Sequence, residues 1–399
     1  MTDVSQIPDA PDLLSEDDET GPAISPLKPG DDPDKIAVAS QWQLIRARFF
    51  ANKVAVAAGV IVLFLYLVGI FAEFLAPTSP TRSQPRFTYA PPQSLAFFVT
   101  DDATGERRFL PHVKGYAMEV DPASLRRTFT VDPKKVVPIG LFVKGEPYKM
   151  WGLFEMDRHL LGPLNKRDPM NLLGTDSLGR DLLSRLIYGT RVSMSIGLIG
   201  VASSLIIGTV LGALSGFYGG WVDLAVQRLI EVISAMPTIP LWLGLAAAIP
   251  ITWSPLKVYF IITLIVSLLA WTSLAREVRG RFFAIKADDF VTAAFLDGSS
   301  QRRVIFRHIM PSLTSHILAV VTLAIPTMIV AETALSFLGI GLKPPVVSWG
   351  VLLQDAQNIR TVATAPWLLL WPSGAVVLAV LSFNFLGDGM RDAADPYGH

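Results

Sequence analysis

The feature that most constrains this chain is a set of six long stretches without a charged residue. They cover residues 54–72, 192–217, 232–256, 258–275, 309–331 and 361–387. A bilayer core about 30 Å thick requires about 20 apolar residues in helical form, and each stretch reaches or approaches that length. Because the edges of an open sheet would stay unpaired in lipid, we predict an all-α polytopic membrane protein with six transmembrane helices.

Composition supports this class and narrows the chemistry. Hydrophobic residues make up 51% of the chain and charged residues only 17%, against about a quarter in soluble domains. The 34 basic and 34 acidic residues cancel, which argues neither for nor against a nucleic-acid partner, and none is predicted. The absence of cysteine excludes disulfides and thiolate catalysis. No metal site and no cofactor is predicted in this chain, because its five histidines are scattered without the spacing of metal ligands.

The basic residues near the ends of the stretches predict the orientation. A cytoplasmic N-terminus places the basic segments inside and also predicts a cytoplasmic C-terminus, at 388–399. The long segment between the first two stretches is then outside, and segments of this length translocate largely regardless of charge. The residues that set this orientation precede the first stretch or lie between the fourth and fifth: Arg46, Arg48, Lys53, Arg276, Arg279, Arg281, Lys286, Arg302, Arg303 and Arg307.

Two segments precede the first transmembrane helix, which we place at 54–75. Residues 1–35 contain ten acids and two lysines with several prolines, a composition that predicts a disordered cytoplasmic tail. Residues 36–53 place Trp42, Ile45 and Phe49 on one side of a helix. This spacing fits an amphipathic helix in the inner interface, or a simple extension of the first span.

Residues 76–172 predict a small extracytoplasmic insertion, either α/β or rich in β-structure. Short strands are expected at 86–89, 95–100, 135–143 and 148–154, because these runs are apolar or aromatic. Turn-forming pairs separate them, at Asp101-Asp102 and Lys144-Gly145.

Small residues and prolines within the stretches bear on helix packing. Gly208, Gly212 and Gly216 repeat every four residues, a ridge that lets another helix approach closely. The partner could be a helix of the same chain or of a second subunit. Pro237, Pro240 and Pro326 interrupt the third and fifth stretches, and each permits either a flexible gate or a fixed kink.

A basic loop over 276–311 joins the fourth and fifth stretches. Asp288 or Asp289 can begin a short helix over 290–297, and Gly298 can end it in the left-handed conformation. Ser299 can begin a second helix that runs to Pro311. The loop is unusually apolar, which indicates docking on another surface or burial at the inner membrane interface.

This loop resembles the EAA loop of ABC importer permeases. That pattern reads E-A-A, three residues, Gly, nine residues and I-x-L-P. It aligns here on Thr292-Ala293-Ala294, Gly298 and His308-Ile309-Met310-Pro311. Thr292 replaces the glutamate, and His308 is common in the peptide-type subfamily, whereas Asp297 departs from it. Other segments similar to the dipeptide, oligopeptide and nickel permeases are LGTDSLGRD (173–181), YGGWVD (218–223), ETALSFLGIG (332–341), PPVVSWG (344–350) and NFLGDGMRDAADP (384–396).

The resemblance implies a type I ABC importer permease fold, with the permease core at 173–387. It also implies a bacterial inner-membrane location and a heterodimer with a second permease. Two ATPase subunits would sit beneath the loop and use ATP and Mg, and an extracytoplasmic binding protein would deliver peptides. Oligosaccharides, opines and nickel are alternative solutes. The residues implied in ATPase coupling are Thr292, Ala293, Ala294, Gly298, Arg302, Arg303, Arg307, His308 and Pro311, with the arginines supplying complementary charge.

The chain itself carries no G-x-x-x-x-G-K-[ST] phosphate-binding loop, so we expect no enzymatic activity in it. Glu332, near the outer end of the fifth stretch, is a candidate for the translocation pathway or for a structural pairing. A secondary transporter would need several acids or histidines within the spans, where only His316 lies in the middle of a run. A membrane enzyme would have to use the cluster of Asp176, Arg180, Asp181 and Arg185, whose alternation fits helix capping and ion pairing.

Overall fold

The computed structural model describes residues 41–100, 107–120, 122, 127–250 and 252–394. The acidic 1–35 segment, the Asp101-Asp102 pair and the last five residues lie outside the described residues. A helical core and a β-sheet insertion make up the described chain, which agrees with the predicted fold class. The insertion is β-rich rather than α/β.

The described residues begin with two helices, which are separated by a capping residue. Helix α1 (Gln41–Ala51) ends where Asn52 begins α2 (Lys53–Ile70). The Asn52 side chain accepts hydrogen bonds from the backbone N–H groups of Val54 and Ala55, both at 3.1 Å, which satisfies two free donors at the helix start. The first span is therefore not a simple extension of α1, in which Ile45 and Phe49 are half-buried while the arginines are exposed. A single turn, α3 (Ala72–Leu75), follows α2.

The remaining helices form most of the core. Within the described part of the chain, five helices are long and apolar enough to span a membrane: α2, α4, α7, the Ala319–Phe337 part of α10, and α13. The bent pair α5 and α6 gives a sixth crossing if it counts as one span. In chain order the helices after the insertion are α4 (Leu182–Tyr218), α5 (Gly220–Ala235), α6 (Thr238–Ala247), α7 (Pro255–Lys286), α8 (Asp289–Leu296), α9 (Gln301–Arg303), α10 (Met310–Phe337), α11 (Trp349–Leu353), α12 (Ile359–Thr364) and α13 (Trp367–Ala394).

The third and sixth apolar stretches do not form the single helices predicted from their length. Helices α5 and α6 meet at 85° with the break at Pro237, whose extended backbone (ψ 123°) suits a residue that cannot donate a helical hydrogen bond. The sixth stretch is divided before Pro366, so that α13 begins at Trp367. Pro326, in contrast, lies inside an unbroken α10.

The insertion is a four-stranded antiparallel sheet in the order β1 (Leu95–Thr100), β2 (Arg107–Val120), β3 (Arg127–Met150) and β4 (Phe154–Pro163). The first strand has the predicted bounds. The strand predicted at 86–89 is wrong, because Pro85–Phe87 forms a 3₁₀ turn. The turn predicted at Lys144-Gly145 is also wrong, because β3 continues through a bulge between Lys144 and Tyr148.

Candidate functional site

Residues 276–286 of the predicted 276–311 loop continue helix α7, and the loop proper begins after Lys286 with the first of the two predicted short helices, α8. Asp288 holds the N-cap position with extended backbone, and its carbonyl oxygen accepts from the N–H groups of Val291 and Thr292. Its side chain makes no capping hydrogen bond, contrary to the role predicted for Asp288 or Asp289. Asp289 lies in the first turn, where its negative charge complements the helix dipole.

Helix α8 ends at Gly298 as predicted. The N–H of Gly298 donates to the carbonyl of Phe295, and the N–H of Ser299 donates to the carbonyl of Ala294, both at 3.0 Å. This pair of bonds is a Schellman motif, which requires a left-handed residue. Gly298 has φ +75°, and apart from its two chain neighbours no described residue has an atom within 4 Å of the place that a Cβ would occupy. The bend is thus closed by its backbone and open on its outer side.

The second helix differs from the prediction because it does not stop at Pro311. It begins after Ser300, not Ser299, passes through a π-helical turn (Val304–Ile309) and continues directly into α10. In a regular α-helix the Pro311 ring would clash with the carbonyl of Arg307. The wider π turn just before Pro311 lets the helix continue past it.

The inner face of the loop packs under the helix bundle. Val291 and Val304 are fully buried, and Ala294 is 6% exposed. They pack with residues at the adjacent ends of α4, α7 and α10 in one apolar cluster, which includes Phe217, Leu274, Val278, Phe282, Ile305, Ile309 and Leu313. The loop is therefore a fixed part of the core, and Ala294 contacts this chain rather than open space.

The outer face of the loop combines apolar and cationic side chains. Leu296 is 84% exposed, Phe306 72% and Phe295 38%. The three exposed arginines of this face are Arg302, Arg303 and Arg307, and none of the ion pairs found among the described residues involves them. His308 is half-buried, and the other coupling residues predicted from the sequence are exposed: Thr292, Ala293, Gly298, Arg302, Arg303, Arg307 and Pro311.

Leu296 was missed in the sequence analysis, although a signal for it existed. It lies four residues after Thr292, which places both on one side of α8. With Phe306 on the next segment, it gives the outer face an apolar centre bordered by arginines. That arrangement is typical of the buried centre of a protein interface.

The glycine ridge supports the loop from within the same chain. A Cβ at Gly212 would lie 2.6 Å from the carbonyl oxygen of Ala275, and one at Gly216 would lie 2.6 Å from the Cβ of Phe282. A Cβ at Gly208 would lie 3.0 Å from the carbonyl oxygen of Trp271. The ridge therefore lets α4 and α7 approach closely, and it is not available to a second subunit.

Two polar clamps lie beside the loop. Arg279 on α7 donates from Nη2 to Oδ2 of Asp223 at 2.6 Å, which ties α7 to the start of α5. Lys286, at the end of α7, donates to the carbonyl of Phe217 at 2.7 Å and lies 5.3 Å from the centre of its ring. These contacts hold the ends of α4, α5 and α7 in register above the loop.

Glu332 lies far from the loop, fully buried near the other end of α10. Its carboxylate accepts from the hydroxyls of Ser336 and Ser348, both at 2.8 Å, and from that of Ser193 at 3.3 Å. Each serine oxygen in turn accepts a backbone N–H, for example from Trp349 to Ser193 at 3.1 Å. This network joins α4, α10 and α11, and it favours the structural pairing over a direct pathway contact.

The cluster of Asp176, Arg180, Asp181 and Arg185 has the geometry of a cap and an ion-pair network. Asp176 is buried and accepts from the N–H groups of Leu178 and Arg180 at 2.9 Å, from Nε of Arg180 at 2.7 Å and from Arg185. Asp181 caps α4 through the N–H of Ser184 at 2.8 Å. Burial raises the pKa of Asp181 to about 6. Among the described residues, no group of three or more potential metal ligands comes together.

Comparisons with known proteins extend over both the core and the N-terminal helices. A family model described as the inner membrane component of binding-protein-dependent transport systems matches residues 208–397. A second model, the N-terminal transmembrane domain of oligopeptide transport permease C, matches residues 40–92. The two matched regions include the loop, the glycine ridge and Glu332.

Individual relatives are similar over more than half of this chain. The oligopeptide transport system permease protein OppC of Haemophilus influenzae is 36% identical over 242 residues, 61% of this chain and 75% of that protein. The glutathione transport system permease protein GsiD of Pectobacterium atrosepticum is 38% identical over 63% of this chain and 79% of that protein. The dipeptide permease DppC of Alkalihalophilus pseudofirmus is 37% identical over 56% and 71%. A solved MetNI methionine ABC transporter aligns with 54% of this chain and 98% of that chain, at 15% identity and a TM-score of 0.43.

Proposed function

Because this chain belongs to the family of inner membrane components of binding-protein-dependent transport systems, we propose that it is a permease subunit of an ATP-driven peptide importer. The observation that most directly supports this proposal is the sequence identity of 36 to 38% between this chain and permeases for oligopeptides, dipeptides and glutathione. All three named solutes contain peptide bonds, which favours di- or oligopeptides over the other solutes. The resemblance inferred from the sequence motifs is confirmed by the family models.

The outer face of the 276–311 loop is the proposed contact with ATPase subunits. Leu296 and Phe306 would fill an apolar groove on the partner, and Arg302, Arg303 and Arg307 would pair with acids around it. Gly298 would come close to the partner surface, since among the described residues only its chain neighbours lie near its Cβ position. Ala294 would act indirectly, by holding α8 against the bundle.

The rest of the machinery follows from the same proposal. A second permease completes the pathway, two ATPases supply ATP hydrolysis with Mg, and a binding protein outside the membrane delivers the peptide. The loop and both termini would lie in the cytoplasm of a bacterium, and the β-sheet insertion would lie outside. Closure of the ATPases would tilt the helices above the loop and expose the pathway alternately to the two sides.

Reconstitution tests this function. The chain is inserted into liposomes with its second permease, its ATPases and its binding protein, and uptake of a labelled tripeptide is measured with ATP inside. We expect uptake that requires every subunit, and no ATP hydrolysis by the isolated chain. Uptake of nickel or an oligosaccharide, but not of peptides, would contradict the substrate. ATP turnover by this chain alone would contradict the subunit role.

A further inference from the structure

The turn between strands β3 and β4 exposes a compact set of large apolar side chains. We call residues 150–154 the hairpin tip. Leu153 is 75% exposed, Phe154 59% and Trp151 50%. Single exposed apolar residues are ordinary on protein surfaces, but three within four residues at one tip point to a partner that covers them.

The hairpin tip is attached to the end of a membrane-spanning helix. The Trp151 indole donates from Nε1 to the carbonyl oxygen of Ile70 at 2.8 Å, and its ring centre lies 6.0 Å from that of Phe71. Ile70 is the last residue of α2, whose 18 residues extend for about 27 Å, close to the thickness of a bilayer core. With α2 as a membrane span, the tip would lie at the level where the hydrocarbon layer ends.

The rest of the hairpin contacts residues 74–79, which follow the span. The ring of Phe142 lies 5.9 Å from that of Phe74, and His159 Nδ1 lies 2.6 Å from the carbonyl oxygen of Ala76. Glu146 accepts from the N–H of Ser79 at 3.2 Å. The hairpin is thus held against the segment after α2, and its tip is the part that contacts the last residue of the span.

Polar contacts mark the boundary behind the tip. Lys149 and Glu155 form an ion pair at 3.3 Å across the two strands, directly behind the pair of Met150 and Phe154. The carbonyl of Ile70 also accepts from Arg191 at 3.0 Å. Such satisfaction of a helix-end carbonyl matters most where water is scarce.

We propose that the hairpin tip inserts into the interfacial layer of the bilayer at the Ile70 end of α2, so that its partner is phospholipid. Tryptophan is enriched at this depth because its ring is apolar while its N–H needs a hydrogen-bond acceptor, and Ile70 supplies that acceptor. Leu153 and Phe154 would contact acyl chains, and the Lys149–Glu155 pair would remain in the headgroup layer. The tip would fix the insertion against the membrane surface. This inference depends on α2 spanning the membrane and not on the substrate proposed above.

Fluorescence at single sites tests this insertion, and the natural absence of cysteine makes it direct. Leu153→Cys carries an environment-sensitive nitrobenzoxadiazole label in the transporter, assembled with cysteine-free partners in nanodiscs. Lys144→Cys is the control, because its side chain is 71% exposed and its strand partner Arg158 lies four residues from Phe154, about 14 Å back from the tip. Phe154→Cys provides a second tip site should the first variant assemble poorly.

At both tip sites we expect blue-shifted emission, strong quenching by nitroxide-labelled phosphatidylcholine and at least fivefold weaker quenching by iodide than at the control. Water-like emission with efficient iodide quenching at the tip would overturn the proposal. Shielding from iodide without quenching by the nitroxide lipid would overturn it as well, because a protein partner would then cover the tip.

Discussion

Replacing Gly298 separates two roles that this residue can have, ending a helix or permitting close contact with an ATPase. At φ +75° an alanine would be strained by about 1–2 kcal/mol. This strain lowers the population of the bent conformation roughly 5- to 30-fold relative to other conformations of the loop. Asparagine tolerates this conformation far better, although it carries a larger side chain. Apart from the two chain neighbours, no described residue has an atom within 4 Å of the Cβ position, so the Cβ of either substitution meets no other described residue of the subunit.

The assay is peptide uptake per ATP hydrolysed in proteoliposomes, together with the amount of permease in the membrane. If Gly298 allows close docking, Gly298→Asn and Gly298→Asp should keep normal abundance and lose most uptake, because the added side chain faces the partner. If Gly298 only ends α8, Gly298→Asn should be nearly normal and Gly298→Ala should reduce abundance.

Gly339 offers a matched control, because it has φ +78° and equally open surroundings at the other end of α10. In Gly339→Asn the asparagine adopts the same left-handed conformation, with a similar backbone strain, at a position far from the loop. This variant should retain uptake. Normal uptake by a well-expressed Gly298→Asn or Gly298→Asp variant would refute the docking role, and with it the proposed coupling mechanism.

Three further outcomes test other parts of the structure. A cysteine at Ser83 should react with a membrane-impermeant thiol reagent in intact cells and one at Ser300 should not; the reverse pattern would invert the topology. Gly212→Ala should destabilise the helix pair by about 1–3 kcal/mol through overpacking and lower abundance, whereas Gly244→Ala, with no atom within 4 Å, should not; equal abundance would contradict the role of the ridge. Because the pKa of Asp181 is raised from 3.8 to about 6, the folded state keeps a proton there that the unfolded chain has lost, so stability falls as the pH rises through that window. Asp181→Asn should flatten this dependence in thermal unfolding between pH 4 and 6, and an unchanged slope would exclude Asp181 as its source.

The spans and the bend at Gly298 could be predicted from the sequence, because each depends on a local property. The length of an uncharged stretch indicates whether it can cross the membrane as a helix. A glycine after an apolar helix predicts that the helix ends in the left-handed conformation. The 85° angle between α5 and α6 could not be predicted. A proline shows where a helix can break, but packing against the remaining bundle determines the angle.

The turn predicted at Lys144-Gly145 was wrong because contacts between the strands, and not the local sequence, decide the conformation there. Glycine serves both in turns and in bulges, and local sequence does not distinguish them. Here a Cβ at Gly145 would lie 2.3 Å from Cδ2 of His159 on the neighbouring strand, so the glycine is needed for cross-strand contact within a continuing hairpin. Likewise, the burial of Glu332 among three serines depends on residues distant in sequence, Ser193 and Ser348, which no local pattern connects.

Helix α9, the π turn and α10 follow one another without a break, so a tilt at the loop end would move the far end of α10 as well. From Arg303 to Glu332 this continuous helix rises about 44 Å at 1.5 Å per residue. A tilt of about 5° applied at the loop would therefore displace the Glu332 end by about 4 Å, more than the length of a hydrogen bond. The three serine contacts of Glu332 would then either move with the continuous helix, together with α11, or break. Under the proposed mechanism, a tilt at the loop would thus become a choice between two discrete arrangements at the Glu332 end.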